Sequence, residues 1–283
     1  MNQTAYSDLQ GKCCVVTGGA GVIGGALVGA LAMSGVRTAI IDLNGEAAAA
    51  KARSIADSTG GMVIGVTGNV LDKKTLSEAK QRINDKLGAV DLLVNGAGGN
   101  SARATTAAEF MEDADIDHLE RTFFGLESDA FRSVFDLNFM GTILPTMVFA
   151  KDMVERRQGA ILNISSMNSY RPLTRIPAYS AAKASINNFT AWLAVHLARQ
   201  HVRVNAVAPG FFLTEQNRFL MYDEATGVLS NRGKKILDAT PMGRFGEVNE
   251  LQDPMLFLLS DRSRFITGTV LAVDGGFSAY SGV

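Results

Sequence analysis

Short apolar runs alternate with longer amphipathic segments along the whole chain. The runs are rich in Val, Ile and Leu at consecutive positions, as strands buried between two layers of helices must be. They are CCVVT (13–17), TAIID (38–42), MVIGV (62–66), DLLVN (91–95), AILNIS (160–165), VRVNAVA (202–208) and TVLAVD (269–274). Helical patterns lie between them, at 23–34, 45–58, 73–87, 130–157, 178–200 and 248–260. This repetition predicts an α/β fold, a doubly wound parallel seven-stranded sheet with helices on both faces.

Two long polar segments interrupt this alternation. Residues 99–129 form an acid-rich insert after the fourth strand, and residues 211–246 form a second excursion after the sixth. Because ligands of open α/β sheets bind beyond the carboxyl ends of the strands, both segments are candidate substrate loops or lids. Aromatic residues in the FMED and TFFGL stretches are expected to anchor the insert, and a disordered insert is the alternative. No proline-rich linker divides the chain, so residues 1–283 are predicted to form a single domain.

The composition excludes several classes of function. Lys and Arg total 27 against 28 Asp and Glu, so no nucleic-acid partner is expected. Cys13 and Cys14 are adjacent in a predicted strand, so their side chains point to opposite faces and cannot bridge each other. His118, His196 and His201 show no ligand spacing with them, and we expect no metal. The chain shows no disulfide framework, signal-peptide pattern or apolar run of membrane-spanning length, so we expect a cytoplasmic protein without a membrane partner.

The segment VTGGAGVIGGALVGALAMSG (16–35) places a glycine-rich turn between a strand and a helix of small residues. Gly18, Gly21 and Gly24 let backbone amides approach a pyrophosphate at the positive helix N-terminus. Asp42 ends the following strand, where a carboxylate binds ribose hydroxyls and repels a 2′-phosphate. The pattern predicts a Rossmann-type dinucleotide site that prefers NAD(H) over NADP(H). A helix cap is the alternative role for Asp42.

The stretch PAYSAAKAS (177–185) sets Tyr179 and Lys183 four residues apart. On a helix this spacing brings the hydroxyl and the ammonium to one face. A nearby ammonium favours phenolate, so Lys183 is expected to lower the pKa of Tyr179 towards neutrality. The pair is a candidate acid/base, and a pair of ordinary surface side chains is the alternative.

Five motifs together resemble the short-chain dehydrogenase/reductase family. They are TGGAGVIG (17–24), NGAG (95–98), ISS (164–166), YSAAK (179–183) and PGFFLT (209–214), in the family's order and spacing. The resemblance extends from about residue 10 to VDGG at 273–276. It implies an NAD(P)-dependent oxidoreductase that acts on a CH–OH group.

The resemblance implies a catalytic set of four residues. Tyr179 would donate a proton to a substrate carbonyl, or remove one from the alcohol in the reverse direction. Lys183 would favour the phenolate and bind the nicotinamide ribose, and Asn138 would support a proton-relay water near the lysine. Ser166 would hydrogen-bond the substrate oxygen, whereas Ser165 should face the other side of its strand.

The resemblance also implies a set of cofactor-binding positions. Besides Gly18, Gly21, Gly24, Asp42, Tyr179 and Lys183, they are Ile23, Asn69, Val70, Asn95, Gly96, Ala97, Pro209, Gly210, Phe212 and Thr214. The chain departs from the family pattern at two places. Val22 stands where the family turn has glycine, so the backbone path over the pyrophosphate has to be established from the structure. Asn69 replaces the usual Asp that binds the adenine amine, and its amide oxygen can accept the same hydrogen bond.

The segments around the predicted site indicate an acidic substrate. Asn168, Arg171 and Arg175 lie between the candidate serine and tyrosine, and a guanidinium group matches a carboxylate bidentately. Surface ion pairs are the alternative role for both arginines. Gln216, with its neighbours Asn217 and Arg218, offers polar groups for hydroxyls. A small polyhydroxylated acid would use all of these side chains.

At a finer level, the chain resembles the branch of the family that interconverts D-fructuronate and D-mannonate. The resemblance rests on NGAGGN, SSMNSYRPLTRIPAYSAAKASINNFT, APGFFLTEQNR, TPMGRFGE and VDGGFSAYSGV. Gluconate 5-dehydrogenase-like enzymes are the nearest alternative, and a non-catalytic NAD-binding protein is an alternative of another class. The resemblance further implies a homotetramer, with the helices at 130–157 and 178–200 packed across two-fold axes.

Overall fold

The structure, a computed structural model, describes residues 6–214, 217–223 and 226–282. These residues contain seven strands, all parallel, in the order β3-β2-β1-β4-β5-β6-β7. The strands are β1 (Cys13–Thr17), β2 (Arg37–Asp42), β3 (Val63–Thr67), β4 (Leu92–Asn95), β5 (Gly159–Ile164), β6 (Val202–Pro209) and β7 (Val270–Val273). The predicted fold class is therefore confirmed.

The helices form two layers, one on each face of the sheet. In the described residues they are α1 (Val22–Met33), α2 (Gly45–Thr59), α3 (Lys73–Leu87), α4 (Ser128–Asn138), α5 (Met140–Arg156), α6 (Pro177–Leu197), α7 (Arg218–Met221), α8 (Asn231–Asp238) and α9 (Gln252–Leu259). Helices α1, α2 and α9 pack on one face, whereas α3, α5 and α6 pack on the other. The strand order reverses between β1 and β4, which is where ligands of such sheets bind.

The two cysteines show how the sheet separates its two cores. Cys13 belongs to the apolar cluster under α3, α5 and α6, and Cys14 belongs to the cluster under α1, α2 and α9. Both are fully buried, and burial raises the pKa of the Cys13 thiol to about 12. The prediction that they point to opposite faces is confirmed.

The helix predicted at 130–157 is two helices, so that prediction is wrong in its length. The chain breaks between Asn138 and Met140 because the Asn138 side chain competes for backbone groups. Its Nδ2 donates to the Val134 carbonyl oxygen at 2.8 Å and to the Gly99 carbonyl oxygen at 2.7 Å. The Asn138 carbonyl in turn accepts from the Thr142 hydroxyl at 3.0 Å, and α5 begins at Met140.

The insert at 99–129 contains three short 3-10 helices, Ala102–Ala104, Asp113–Arg121 and Phe123–Gly125. The expectation that aromatic residues anchor it is wrong, since the side chains of Phe110, Phe123 and Phe124 are 65–67% exposed. Small residues anchor it instead. Ala104 is fully buried, and the Thr106 amide donates to the Arg175 carbonyl oxygen at 3.0 Å. The base of the insert is therefore tied to the segment that precedes α6.

The excursion at 211–246 has a small core of its own. It carries α7 and α8, and Met221, Ile236 and Phe245 form a buried cluster beside the main sheet. The β-carbon that a side chain would add at Gly233 would lie 2.4 Å from the Met221 carbonyl oxygen, so only glycine lets α8 pack this closely. This packing fixes the position of α8.

One helical region of the described chain, Asp113–Arg156, has the length and apolar composition of a membrane span. It is divided among two 3-10 helices, α4 and α5, and 56% of its most apolar 18-residue stretch is buried inside the protein. Helix α5 packs on β4, β5 and α3. Its apolar residues are thus accounted for by the core.

Candidate active site

The first turns of α6 present Tyr179 and Lys183 to the carboxyl end of β5. Pro177 begins the helix, a position where its missing N–H costs no hydrogen bond. Lys183 is 4% exposed, and its ammonium donates a 2.8 Å hydrogen bond to the Ile164 carbonyl oxygen. The same ammonium lies 5.5 Å from the centre of the Tyr179 ring. The predicted helical pairing of the two side chains is thus present.

The two serines after β5 have different surroundings. The Ser166 hydroxyl accepts from the Asn168 amide at 3.3 Å and also forms a hydrogen bond with Tyr179. The Ser165 hydroxyl instead donates to Asn187 Oδ1 at 2.5 Å, against the body of α6. Ser166 alone therefore faces the tyrosine, as the strand alternation predicted.

The electrostatics of Tyr179 differ from the sequence-based expectation. Burial raises the pKa of Tyr179, and the hydrogen bond with Ser166 opposes part of that rise. Burial lowers the pKa of the Lys183 ammonium to about 8. The expectation that Lys183 lowers the pKa of Tyr179 is therefore wrong for this structure, because desolvation of the phenolate is the dominant effect.

Asn138 stands at the break between α4 and α5, beside the loop that follows β4. Its Oδ1 accepts from the Gly99 amide at 3.3 Å, so the side chain is clamped to that loop. A β-carbon at Gly98 would lie 2.6 Å from Asn138 Oδ1 and 3.4 Å from Lys183 Nζ. Asn138 and Lys183 are consequently neighbours across Gly98, and the four predicted catalytic residues come together.

The glycine-rich turn forms a cradle at the start of α1. Gly18 has a left-handed φ of 65°, and a β-carbon there would lie 2.8 Å from Ala97 Cα. A β-carbon at Gly24 would lie 2.5 Å from the Gly18 carbonyl oxygen. Gly21 occupies the N-cap position, with no side-chain cap on the first turn formed by Val22 and Ile23. The Val22 departure therefore leaves the turn intact, with uncapped helical amides that fit a pyrophosphate.

Asp42 ends β2 at the same edge of the sheet. Its Oδ1 accepts from the Asn44 amide at 3.1 Å, whereas the N-cap of α2 is Asn44 itself. The alternative role of Asp42 as the helix cap is therefore wrong. Asn69 and Val70 follow β3, and Asn69 Oδ1 already accepts from the Leu71 amide at 2.9 Å. This oxygen keeps one lone pair for an adenine amine.

The middle of the sheet holds the predicted segment Asn95, Gly96 and Ala97. Asn95 Nδ2 donates to Asn163 Oδ1 at 2.8 Å and to the Thr146 hydroxyl at 2.9 Å. Its Oδ1 is buried without a hydrogen-bond partner in the described structure. The amides of Gly96 and Ala97 both donate to the Thr17 hydroxyl, at 3.1 and 3.2 Å. Asn95 thus steadies the centre of the sheet.

The end of β6 supplies the last predicted cofactor segment. Pro209 ends the strand, and a β-carbon at Gly210 would lie 2.6 Å from Asp274 Cα. The Phe212 side chain is 7% exposed and packs in the core under α1, so only its backbone is available to a cofactor. The Thr214 amide donates to Asn217 Oδ1 at 2.8 Å.

A cavity of about 560 Å³ opens beside the segment that leads into α6 and beside the end of β6. Ile176, three residues before Tyr179, and Phe211, next to Gly210, form part of its wall. Four basic side chains line the cavity together with one acidic side chain. They are Arg171, Arg175, Arg232 and Lys235, with Glu109 from the insert. Their formal charges sum to +3, and an excess of positive charge suits an anionic ligand.

The predicted substrate residues divide into three groups. Arg171 and Arg175 both line the cavity, and Arg175 Nε also donates to the Thr106 carbonyl oxygen at 2.7 Å. Asn168 is 4% exposed, and its Oδ1 has no hydrogen-bond partner in the described structure. Gln216 lies outside the described residues.

Two neighbours of Gln216 have structural partners. Asn217 Nδ2 donates to the Phe212 carbonyl oxygen at 2.8 Å, and the Arg218 guanidinium lies 5.1 Å from the centre of the Tyr222 ring. Both ends of the Asn217 amide therefore hold the local backbone, and its contact with substrate hydroxyls stays a prediction.

The sequence-based reasoning missed three charged residues of the cavity, Glu109, Arg232 and Lys235. Lys235 Nζ lies 2.6 Å from Glu109 Oε2 and joins α8 to the insert across 126 residues. The hydrogen bond with Lys235 is the main reason why the pKa of Glu109 is lowered. The basic stretch NRGKK within the second excursion was the available signal.

Comparisons with known proteins agree with this geometry. A family model described as enoyl-(acyl carrier protein) reductase matches residues 18–278. The Bacillus subtilis protein called uncharacterised oxidoreductase UxuB is 45% identical over 279 residues, which cover 98% of this chain and 99% of that protein.

Two solved structures are similar over nearly the whole chain. One, from Haemophilus influenza, was provisionally named a D-mannonate oxidoreductase with bound NAD; it is 47% identical, with a TM-score of 0.93 and 98% of both chains covered. The other is a gluconate 5-dehydrogenase from Burkholderia cenocepacia in complex with NADP and tartrate. It is 29% identical, with a TM-score of 0.80, and 97% of this chain and 98% of that chain are covered.

Proposed function

Because the chain belongs to the short-chain dehydrogenase/reductase family, we propose that it interconverts a keto sugar acid and the corresponding hydroxy acid. The chain is an NAD(P)-dependent oxidoreductase that acts on a CH–OH group. The proposed pair is D-fructuronate and D-mannonate. The name given to the Haemophilus structure supports this choice.

The observation that carries the proposal is the cationic cavity whose wall extends to Ile176, three residues before Tyr179. A neutral substrate would neutralise none of the net charge of +3 in the cavity, whereas a carboxylate would neutralise part of it. The wall also contains Phe211, Phe277 and Tyr280, whose rings offer flat faces to a sugar. A sugar acid would use both the cationic side chains and the aromatic rings of this wall.

The residues of the chain have distinct proposed roles. In the reducing direction, Tyr179 gives its phenolic proton to the substrate carbonyl oxygen, and Ser166 donates a hydrogen bond to the same oxygen. Lys183 holds positive charge at the end of β5, next to the ring of Tyr179. Asn138 keeps the loop after β4 in place beside Lys183.

The cofactor site fits a dinucleotide, and when bound the nicotinamide supplies or accepts the hydride. We propose that Gly18, Gly24 and the first amides of α1 hold its pyrophosphate. Asp42 supports a preference for NAD(H), because a carboxylate at the end of β2 repels a 2′-phosphate. The NAD in the Haemophilus structure is consistent with this preference, whereas the Burkholderia enzyme was solved with NADP.

A gluconate 5-dehydrogenase-like activity is the second candidate. The Burkholderia structure with tartrate favours it, since tartrate is also a hydroxylated acid. Both candidate substrates carry a carboxylate, so the cationic cavity does not separate them.

We also propose that the protein assembles as a homotetramer through the outer faces of α5 and α6. Met147, Trp192 and Val195 are 50%, 58% and 80% exposed on these helices. Apolar side chains at such exposures favour burial against another subunit.

The test is oxidation of NADH by the purified protein, followed by absorbance, with D-fructuronate, 5-keto-D-gluconate and D-fructose as separate substrates. We expect turnover of D-fructuronate, slower turnover of 5-keto-D-gluconate and none of neutral D-fructose. Turnover of 5-keto-D-gluconate alone would move the substrate to the second candidate. Equal turnover of D-fructose would remove the sugar-acid proposal altogether.

A further inference from the structure

The four cations of the cavity are not equally available to a ligand. Lys235 is engaged by Glu109 at 2.6 Å, and Arg175 Nε is engaged by the Thr106 carbonyl oxygen at 2.7 Å. In the described part of the chain, no hydrogen bond or ion pair engages the guanidinium of Arg232. Among the described residues, Arg232 is thus a basic side chain of the cavity whose donors have no partner.

The position of Arg232 makes an unpaired charge unfavourable. Its side chain is exposed overall, yet the guanidinium is withdrawn far enough from water that burial lowers its pKa. Repulsion from Arg175 lowers that pKa further, and attraction to Glu109 offsets only part of it. A partly desolvated cation beside a like charge gains more from an anionic ligand than a fully solvated one does.

The helix that carries Arg232 is held firmly. The Ser230 hydroxyl caps α8 by accepting from the Gly233 amide at 3.0 Å, and Ile236 is buried in the small core of the second excursion. The Glu109–Lys235 ion pair ties the same helix to the insert. Arg232 and Lys235 are three residues apart, so one face of α8 meets the cavity.

We propose that Arg232 is a specificity residue that binds the carboxylate of the substrate. This inference rests on the proposed function, since it deepens the sugar-acid assignment. The guanidinium fork of Arg232 would donate to both carboxylate oxygens, with Arg171, which also lines the cavity, as a second cation. Lys235 is already paired with Glu109, so this lysine does not compete for the carboxylate.

The experiment compares Arg232→Met with Lys234→Met. Lys234 is an exposed lysine on the same helix that does not line the cavity, so it controls for loss of charge on α8. With the sugar acid that the parent enzyme turns over, we expect Arg232→Met to raise KM about 10- to 100-fold and to change kcat little. Lys234→Met should change neither, and an unchanged KM in Arg232→Met would overturn the proposal.

A binding measurement keeps this test separate from the proposed activity. D-gluconate binding to the protein, measured by calorimetry, needs no turnover. If no sugar acid is turned over but D-gluconate binds the parent about tenfold or more tightly than it binds Arg232→Met, the carboxylate role stands and the proposed reaction fails. Equal affinity, or no binding to either protein, would overturn the role of Arg232. The urea midpoint of the variant checks that it is folded.

Discussion

The ammonium of Lys183 lies 5.5 Å from the centre of the Tyr179 ring, and its hydrogen-bond partner is the Ile164 carbonyl oxygen at 2.8 Å. The lysine is thus fastened to the end of β5 rather than to the phenol hydroxyl. Because both side chains are desolvated, the pKa of Tyr179 rises and that of Lys183 falls to about 8. The acid of the proposed reaction is therefore held protonated, ready to give its proton to a carbonyl.

Replacement of Tyr179 by Phe should abolish most of the activity. Loss of the phenolic proton removes the proposed general acid, so kcat should fall about 10²- to 10⁴-fold. NADH binding, followed by fluorescence, should remain near that of the parent. Tyr6→Phe is the matched control, because the Tyr6 hydroxyl donates to the Asp253 carbonyl oxygen at 3.3 Å, away from the site. A Tyr179→Phe enzyme with parental kcat would contradict the assignment.

The lowered pKa of Lys183 has a consequence for stability. In the folded chain the proton leaves at about pH 8, whereas the ordinary pKa of a lysine is 10.5. Between these values the unfolded chain binds more protons, so the free energy of unfolding rises as pH increases. The contribution of Lys183 between about pH 7 and pH 9.5 should be about 2 kcal/mol.

Urea unfolding of the parent and of Lys183→Met at these two pH values measures that contribution. The stability of the parent should increase with pH relative to the variant, which lacks the titrating group. Lys151→Met, at an exposed position on α5, should follow the parent. Parallel pH profiles for the parent and Lys183→Met would show that the ammonium is not desolvated in the folded protein.

Ser165 and Ser166 should respond differently to the same change. Ser166→Ala removes the hydroxyl that bonds with Tyr179, so kcat should fall about 10²-fold while the urea midpoint changes little. Ser165→Ala breaks the 2.5 Å hydrogen bond with Asn187 and should cost about 1 kcal/mol of stability. Steady-state kinetics and urea unfolding of both variants separate the two roles. If Ser165 were the substrate-binding serine, the loss of kcat would appear in Ser165→Ala instead.

Most of the fold could be predicted from the sequence, because strands buried on both faces are read directly from continuous apolar runs. Each of the seven predicted strands overlaps an observed one, with ends that agree within one residue. The break at Asn138 could not be read in this way. Asn138 stops α4 through hydrogen bonds with Gly99 and Val134, and Gly99 lies 39 residues away in sequence. Such a contact leaves no local pattern.

The candidate site could be predicted where the chemistry lies in short motifs. Tyr179 and Lys183 share one helix, and Ser166 follows one strand, so local spacing places them. Arg232 and Glu109 belong to different excursions, and only the packing of α8 against the insert brings them to one cavity. The direction of the pKa shift of Tyr179 also depended on burial, which spacing alone does not reveal.

Charge on the outer face of α6 should disrupt the proposed assembly. Val195 is 80% exposed, so Val195→Glu should leave the monomer folded while opposing burial of that face against another subunit. Light scattering after size-exclusion chromatography should show a tetramer for the parent and smaller species for the variant. Met62→Glu places the same charge at a half-exposed residue before β3 and should leave the tetramer intact. A monomeric parent would remove the proposal.

Replacement of Asp42 by Ala should relax the cofactor preference. The carboxylate at the end of β2 is proposed to accept hydrogen bonds from the adenosine ribose, and each bond to a charged group contributes about 1.5–3 kcal/mol. The kcat/KM ratio of NADH to NADPH should therefore fall about 10- to 100-fold, through weaker NADH binding and the loss of repulsion towards a 2′-phosphate. Asp57→Ala, at an exposed position on α2, tests whether general loss of negative charge has the same effect, and it should leave the ratio unchanged. Equal use of NADH and NADPH by the parent would contradict the proposed role of Asp42.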